Sequence, residues 1–294
     1  MKALVLMNAY PNGEKFYHQS ERIAQELRAL GVQTDVVKNG ELSFLVDKNG
    51  ELIFQNADGY DFAVYLDKDK YVGKALESQG IRLFNGASQV EICDDKMLTY
   101  LALSKRNIPL AQTIPAPLCY TPNVVPNENF LQLVEKELGF PMVVKSSYGS
   151  LGKGVHLVHG RGELLEISQK LLYQPHFYQR YIQSSCGQDI RVIVIGGKVL
   201  GGMQRVAKAG EFRSNVELGG VGRAVELSPE YIRLAETVAT ILRLDYCGID
   251  LLRGEDGPIV CEVNSNAFFQ GFEETTGINV AKAYAEYMVN QMQK

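Results

Sequence analysis

The sequence predicts a chain that starts as a parallel α/β unit and continues as α+β, and three observations carry that reading. Over roughly residues 1–88, short apolar runs alternate with segments of helical period, as in a parallel sheet with crossover helices. Beyond them, strand candidates cluster between their own glycine and proline turn signals, with fewer helices between. The 294 residues, 46 % of them hydrophobic, supply material for two or three modest domains or one large one.

The elements follow in order. Ala3–Asn8 reads as a buried strand. Ser20 is the expected N-cap of a helix with the stripe Ile23, Leu27 and Leu30, ended by Gly31. Thr34–Val37 is a second strand, and Leu42–Phe54 a hairpin about Asp47-Lys48-Asn49-Gly50. Phe62–Leu66 and Ile81–Phe84 are short strands, with a helix between them ending near Gly80. Asp95–Arg106 reads as a helix carrying Leu98, Leu101 and Leu103, stopped by Asn107 and Pro109. Asn127–Leu138 is another, closed by Gly139, and strands are expected at Met142–Lys145, Val155–Val158 and Phe177–Ile182. The last third opens with β-rich Asp189–Val206, broken at Gly196-Gly197. Ser228 as N-cap and Pro229 at the first helical position start a helix with Ile232, Leu234, Ala235, Val238 and Ile241 on its apolar face. Gly248–Arg253 and Pro258–Asn264 form a hairpin about Gly254–Gly257, and Val280–Met292 closes the chain as a helix packed on its domain through Val280, Tyr284, Tyr287 and Met288.

A net charge of −4 argues against a dedicated nucleic-acid binder, which normally carries a basic footprint. The first apolar run is too short for a signal segment, and no run approaches the length of a membrane-spanning helix. The five cysteines, Cys93, Cys119, Cys186, Cys247 and Cys261, are odd in number and scattered without a CxxC pair, which suits reduced thiols in a cytoplasmic protein.

The clearest chemical constellation is on the last hairpin. Glu262 and Asn264 are two apart on one strand and share a face. Folding the hairpin about Asp256 sets Asp250 opposite Glu262, with Cβ atoms about 5 Å apart. Two carboxylates so close need a compensating cation, and hard oxygen ligands suit Mg²⁺ bound with phosphates. Acids facing water on a surface sheet are the plain alternative. The second constellation is the run Pro141–Val155, in which a strand delivers Lys145 into a loop with Gly149, Gly152 and Gly154. Backbone N–H groups there can turn toward a phosphate, and Ser146, Ser147, Ser150 and Lys153 add donors and charge. The GxxxxGK[ST] spacing fails and a strand follows, so it is no Walker A loop. A flexible hairpin turn is its plain reading. The third, Glu211–Gly220, offers Arg213 as a bidentate oxyanion clamp or, read alone, as a solvated surface residue. His156 and His159 fall on opposite strand faces and make a poor metal pair. Asp94 and Asp95 beside Cys93 are expected to raise its pKa.

In order, these pieces resemble the ATP-grasp superfamily, specifically its RimK-like glutamate-ligase branch. The anchors are Asp95-Lys96, Phe140–Lys145, Gly149–Val155, Tyr178–Ile182, Gly187–Arg191, Phe212–Asn215, Gly248–Asp250, Glu262–Asn264 and Thr275–Ile278. The resemblance implies a three-domain ATP-grasp fold. A Rossmann-like pre-ATP-grasp domain would span 1–88, a linker helix and central lid domain 89–185, and a C-terminal domain with the metal site 186–294. ATP would lie between the last two. Lys96 and Lys145 are then expected at the ATP phosphates, under a lid loop that includes Ser150, Gly152, Lys153 and Gly154. Gln179, Arg180, Tyr181 and Ile182 would hold adenine, mainly through backbone groups, and Asp189 would help fix the nucleoside. Arg213, Ser214 and Asn215 would face the triphosphate and the reacting carboxylate, Arg213 and Lys145 acting catalytically. Asp250, Glu262 and Asn264 would hold Mg²⁺, which Mn²⁺ can replace.

The implied reaction joins an amino acid such as glutamate to a carboxylate acceptor (peptide, protein or small molecule) through an acylphosphate. Positioning and charge neutralisation are most of what phosphoryl transfer asks of a protein. The sequence departs from the branch at Arg180, where an acidic residue is usual, and at Ser265–Gly271, where a Ser-Pro-Gly turn is typical. The segment after Asn215, Val-Glu-Leu, is less basic than in ribosomal-protein modifiers. The last two departures bear on the acceptor. Carrier-protein ligases of lysine biosynthesis, coenzyme-tail glutamate ligases, a catalytically inactive ATP-binding regulator, and a carboxylate-binding transport or sensor protein are the other readings. Homo-oligomers are common in the family, and the sequence shows no interface signature.

Overall fold

The computed structural model describes residues 1–55, 59–149, 152, 154–214 and 219–294. The chain opens with β1 (Lys2–Met7), α1 (Glu14–Ala29), β2 (Gln33–Lys38), β3 (Ser43–Val46), β4 (Leu52–Gln55), β5 (Phe62–Leu66), α2 (Lys70–Ser78) and β6 (Arg82–Phe84). Four of these strands form a parallel sheet in the order β2-β1-β5-β6. Ala3–Leu6 and Phe62–Tyr65 have no exposed surface, as a parallel sheet covered on both faces requires. The β3–β4 hairpin stands apart, its turn held by Asp47 Oδ1, which accepts from the N–H groups of Asn49 and Glu51.

Ser20 does not cap α1. The helix starts six residues earlier, after Gly13, and Ser20 is wholly buried inside it. Its hydroxyl donates to Tyr17 O at 3.1 Å, the local bond that lets a cap-type residue sit within a helix.

Next come α3 (Ala87–Asp94) and α4 (Lys96–Leu103), the latter capped by Asp95, whose Oδ1 accepts from Met97 and Leu98 N–H. The expected single helix over Asp95–Arg106 ends at Leu103, and Lys105 and Asn107 take left-handed φ values of 59° and 55°. Leu98 and Leu101 are exposed; Thr99, Tyr100 and Leu103 face inward, because Tyr100 reaches down to bond Val260 O.

The second sheet is built from β7 (Thr113–Pro115), β8 (Met142–Ser146), β9 (Val155–Val158) and β10 (His176–Arg180), with α5 (Glu128–Leu138) and α6 (Arg161–Leu171). Its antiparallel order is β7-β10-β8-β9. Asn127 caps α5 by accepting from Phe130 N–H, and Gly139, at φ 67°, ends it. Leu131, Val134, Leu164 and Leu171 of the two helices pack on Met142, Val144 and Tyr178.

The third sheet contains β11 (Gln188–Ile195), β12 (Lys198–Val206), β13 (Val221–Val225), β14 (Tyr246–Arg253) and β15 (Pro258–Asn264). Its order is β13-β12-β11-β14-β15, all antiparallel. α7 (Pro229–Leu242) covers one face, while α8 (Gln270–Thr276) and α9 (Val280–Met292) join α1 and the first sheet in another core. Among the described residues, no helix is long and apolar enough to cross a membrane.

Asn85 fastens the first sheet to the third. It is 1 % exposed and donates to Tyr246 O and Ser265 O at 2.7 and 2.8 Å. Its Oδ1 accepts from the N–H groups of Asp245 and Tyr246. Asn85→Ala leaves those buried groups unpaired and should lower stability by about 2 kcal/mol. Urea denaturation checks this; an unchanged midpoint would mean that the two sheets are held elsewhere.

Candidate functional site

A cleft runs between the open face of the second sheet and the facing side of the third. Alternation decides what lines it. Met142 and Val144 point into the helix-covered core, so Val143 and Lys145 face the cleft. Ile190 and Val192 pack under α7, so Asp189 and Arg191 point the other way.

The hairpin geometry holds an unexpected step. The turn closes on the pair Arg253–Pro258, and that register carried upward would set Asp250 against Cys261. A bulge instead leaves Cys261 unopposed and brings Glu262 opposite Asp250. Cys261 and Glu262 therefore both line the cleft.

Lys145 is only 9 % exposed, and its Nζ has Cys261 Sγ at 3.7 Å. Among the described residues no carboxylate lies within ion-pair range of it. Lys96, the first residue of α4, donates from Nζ to Gly149 O at 2.7 Å and lies 3.5 Å from Glu262 Oε1. Gly154 shows why the loop needs glycine: its φ is 73°, and a Cβ there would meet Ser146 Oγ at 2.6 Å.

Arg213 does come to the cleft, with partners the sequence did not suggest. Nε and Nη2 grip the two oxygens of Glu211 at 2.9 and 2.8 Å, and Nη1 donates to Gly152 O at 3.0 Å. The side-chain bonds from Arg213 hold the Glu211 carboxyl at about 2, against an ordinary 4.5. A depressed carboxyl pKa means that the pairing stabilises the fold above the ordinary value and is lost as pH falls toward the lower one. Carboxyl NMR should therefore show Glu211 titrating near 2; a midpoint near 4.5 would mean that the pair does not persist in solution.

Asp189 borders the cleft with most of its acceptor capacity already taken. It is buried, bonded to Arg205 Nε and Nη2 at 2.7 and 2.5 Å, and accepts from Ser214 Oγ at 2.5 Å. The Arg180 guanidinium donates to Gln112 Oε1 and Glu137 O, and its N–H to Gln112 O, while the residue still borders the cleft. Gln179 is buried with Nε2 on Thr113 Oγ1, and Ile182 O accepts from Ser185 N–H. Gln179, Tyr181 and Ile182 still border the cleft. Ser150, Lys153 and Asn215 lie outside the described residues. Cys93 is pushed up to about 12 chiefly by burial, with Asp94 adding less and Lys68 opposing.

Four residues at or beside the cleft were not anticipated: Arg191, Arg205, Glu211 and Cys261. Arg191 sits opposite Asp250 and grips it through Nε and Nη2 at 2.6 and 2.7 Å. Arg205 adds a contact to Asp250 Oδ2 at 2.9 Å. The signal for Arg191 was its position two residues from Asp189 on the same strand.

A model of the RimK-like ATP-grasp domain matches residues 93–288. The chain belongs to the RimK-like ATP-grasp family. It is 37 % identical over 228 residues to β-citrylglutamate synthase B of Homo sapiens, covering 76 % of this chain and 57 % of that protein. A probable α-L-glutamate ligase of Maridesulfovibrio salexigens is 33 % identical over 224 residues, 76 % of this chain and 72 % of that one. The fold matches the ATP-grasp ligase PsnB complexed with minimal precursor, Mg and ADP, at TM-score 0.70 and 17 % identity, covering 99 % of this chain and 98 % of that chain. The chain thus spans a little over half the length of the citrylglutamate synthase.

The donor set of this RimK-like chain fits a hard divalent cation. Glu262 carries no guanidinium, and Asn264, two residues along the same strand, can offer only its amide oxygen as a ligand, its buried Nδ2 being a donor without a partner. Asp250 is more committed: a carboxylate offers about four lone-pair sites, and Arg191 and Arg205 take three of them. One remains for a cation. Among the described residues no three His, Cys, Asp or Glu side chains are grouped to hold a metal, so Asn264, phosphate oxygens and water would have to complete the coordination.

Proposed function

We propose that this protein is an ADP-forming carbon–nitrogen ligase that uses ATP to join an amino acid, glutamate foremost, to a carboxylate acceptor. The acceptor is a peptide, a protein or a small molecule. The observation that carries this reading is Lys145, a nearly buried cation with no carboxylate partner among the described residues, facing the same cleft as Lys96, Arg213 and the acid pair. Such a cleft is arranged for a polyanion with its counter-cation. The glutamate ligases among the relatives support the donor.

In this reading Lys145 and Lys96 bind the phosphates, the glycine-rich loop covers them, and backbone groups of Gln179–Ile182 border adenine. An acceptor carboxylate oxygen attacks the γ-phosphorus, and the bond to the ADP oxygen breaks. The amine then attacks the acyl carbon, phosphate leaves with the bonding pair, and the amine loses a proton. Arg213 exchanges Glu211 for the transferring group while Nη1 keeps Gly152 O, and the closed loop keeps water from the acylphosphate. Asp250, Glu262 and Asn264 would hold Mg²⁺, or Mn²⁺ in its place, which supplies charge neutralisation between the phosphates. We place the protein in the cytoplasm and read the three sheets as three domains, 1–88, 89–185 and 186–294, able to assemble as a homo-oligomer. The test is ADP release from Mg-ATP with a panel of amino acids and carboxylate acceptors. Amide and ADP should appear together, in equal amounts, only when both substrates are present. Nucleotide binding without amide from any pair would favour a regulatory protein.

A further inference from the structure

We propose that Arg205 is a positioning residue that couples the cation end of the cleft to the glycine-rich loop, an inference that rests on the ligase reading above. Arg205 is 4 % exposed, and both its acidic partners are buried. One edge of its guanidinium takes both oxygens of Asp189, at 2.7 and 2.5 Å, while Nη2 also reaches Asp250 Oδ2 at 2.9 Å. Asp250 stands opposite Glu262 on the next strand. At the other end, Asp189 Oδ2 accepts from Ser214 Oγ at 2.5 Å, and the neighbouring Arg213 donates to Gly152 O at 3.0 Å. The result is one chain of contacts: Glu262, Asp250, Arg205, Asp189, Ser214–Arg213, Gly152.

Charge explains why the link belongs to an arginine. Asp189, Asp250, Arg191 and Arg205 are two acids and two bases, so the set is neutral within itself and leaves no cation over for phosphate. Its role is geometric. In a planar guanidinium the Nε–Nη2 edge takes Asp189 while the same Nη2 also reaches Asp250, at fixed angles, whereas an ammonium is a point charge that cannot hold both in one orientation. A divalent cation drawing on the remaining lone pair of Asp250 therefore acts on Arg205, and through it on the carboxylate that pins Ser214. Occupancy at the hairpin sets the position of the Arg213 loop, and that loop holds Gly152.

The test is calorimetric binding of ADP with and without Mg²⁺, with hydrogen exchange at Gly149, Gly152 and Gly154 as a second readout. In the wild type, Mg²⁺ should strengthen ADP binding and slow exchange at those glycines. Arg205→Lys should bind ADP within about threefold of wild type when Mg²⁺ is absent. It should lose about tenfold of the Mg²⁺ enhancement, and the glycines should exchange at the same rate with and without the cation. Should Arg205→Lys not fold, the wild-type exchange measurement decides: equal exchange at Gly149, Gly152 and Gly154 with and without Mg²⁺ in the presence of ADP overturns the coupling. Full Mg²⁺ enhancement in a folded variant overturns the coupling and leaves the ligase reading standing. So does an equal loss with and without Mg²⁺, which marks a merely structural residue. A wild-type protein that binds no ADP under either condition overturns both.

Discussion

Glu262→Gln is expected to give a folded protein whose ligase turnover falls at least about a thousandfold, the scale on which removing a charge-stabilising group acts in phosphoryl transfer. Glu262 is partly exposed and 3.5 Å from the Lys96 ammonium, an ion pair too loose and too wet to matter much to folding. Its nearest cross-strand neighbour is Asp250, a second carboxylate. Removing one charge from two opposed acids relieves repulsion, so the melting temperature should stay or rise. Function moves the opposite way. Asp250 has three of its lone-pair sites on arginines, so Glu262 is the acid of the hairpin that is open to a divalent cation. In the proposed ligase, its loss would leave the triphosphate charge to Lys96, Lys145 and Arg213. Thermal melting, the Mg²⁺ dependence of ADP binding and ADP release together make the check. Near-normal turnover in a folded Glu262→Gln protein would falsify the metal site.

How far the site was legible depended on whether strand alternation stayed regular. Lys145 was marked by the strand that delivers it into the glycine-rich loop, and Glu262 with Asn264 by their two-residue spacing. The Asp250–Glu262 pairing was expected from simple folding of the hairpin, yet the four-residue turn alone would have paired Asp250 with Cys261. A bulge at Cys261 supplies the missing residue, and bulges have no reliable sequence mark. The same happens at the Gly196-Gly197 turn. There Val194 pairs with Val199 but Ile193 with Gly201, so Leu200 is the extra residue. Regular pairing from that turn would have put Gln204, not Arg205, opposite Asp189. Pairing from the turn alone therefore does not point to Arg205. Helix faces were read less well where a tertiary bond set the rotation, as Tyr100 does for α4. Composition and periodicity show that Leu98 and Leu101 are apolar, but not that a hydroxyl about one turn from the helix end is anchored on another sheet. The central strands of the parallel first sheet, by contrast, were legible, because double burial makes Ala3–Leu6 and Phe62–Tyr65 continuous apolar runs.

Lys145→Met should weaken ATP binding about a hundredfold while leaving the empty protein at least as stable. Burying an ammonium is costly unless an anion accompanies it. The group nearest Nζ cannot serve: burial raises the Cys261 pKa and the Lys145 charge only partly opposes it, so the sulfur stays a neutral thiol. With no carboxylate within ion-pair range among the described residues, Lys145 has no close anion to offset its burial until a phosphate arrives. Methionine keeps much of the volume and removes that cost, so unfolding should shift upward or not at all. Binding then loses a charge-assisted bond made in a site shielded from water. Such bonds contribute about 1.5–3 kcal/mol, and about 1.4 kcal/mol is a factor of ten, which puts the loss at the upper end near a hundredfold. Calorimetry with Mg-ATP measures the affinity, and a melting curve of the empty protein measures the stability. The two should move apart. A variant that binds ATP as tightly as the wild type would remove Lys145 from the phosphate site, whereas one that also melts well below it would show that the ammonium has a partner of its own in the empty cleft.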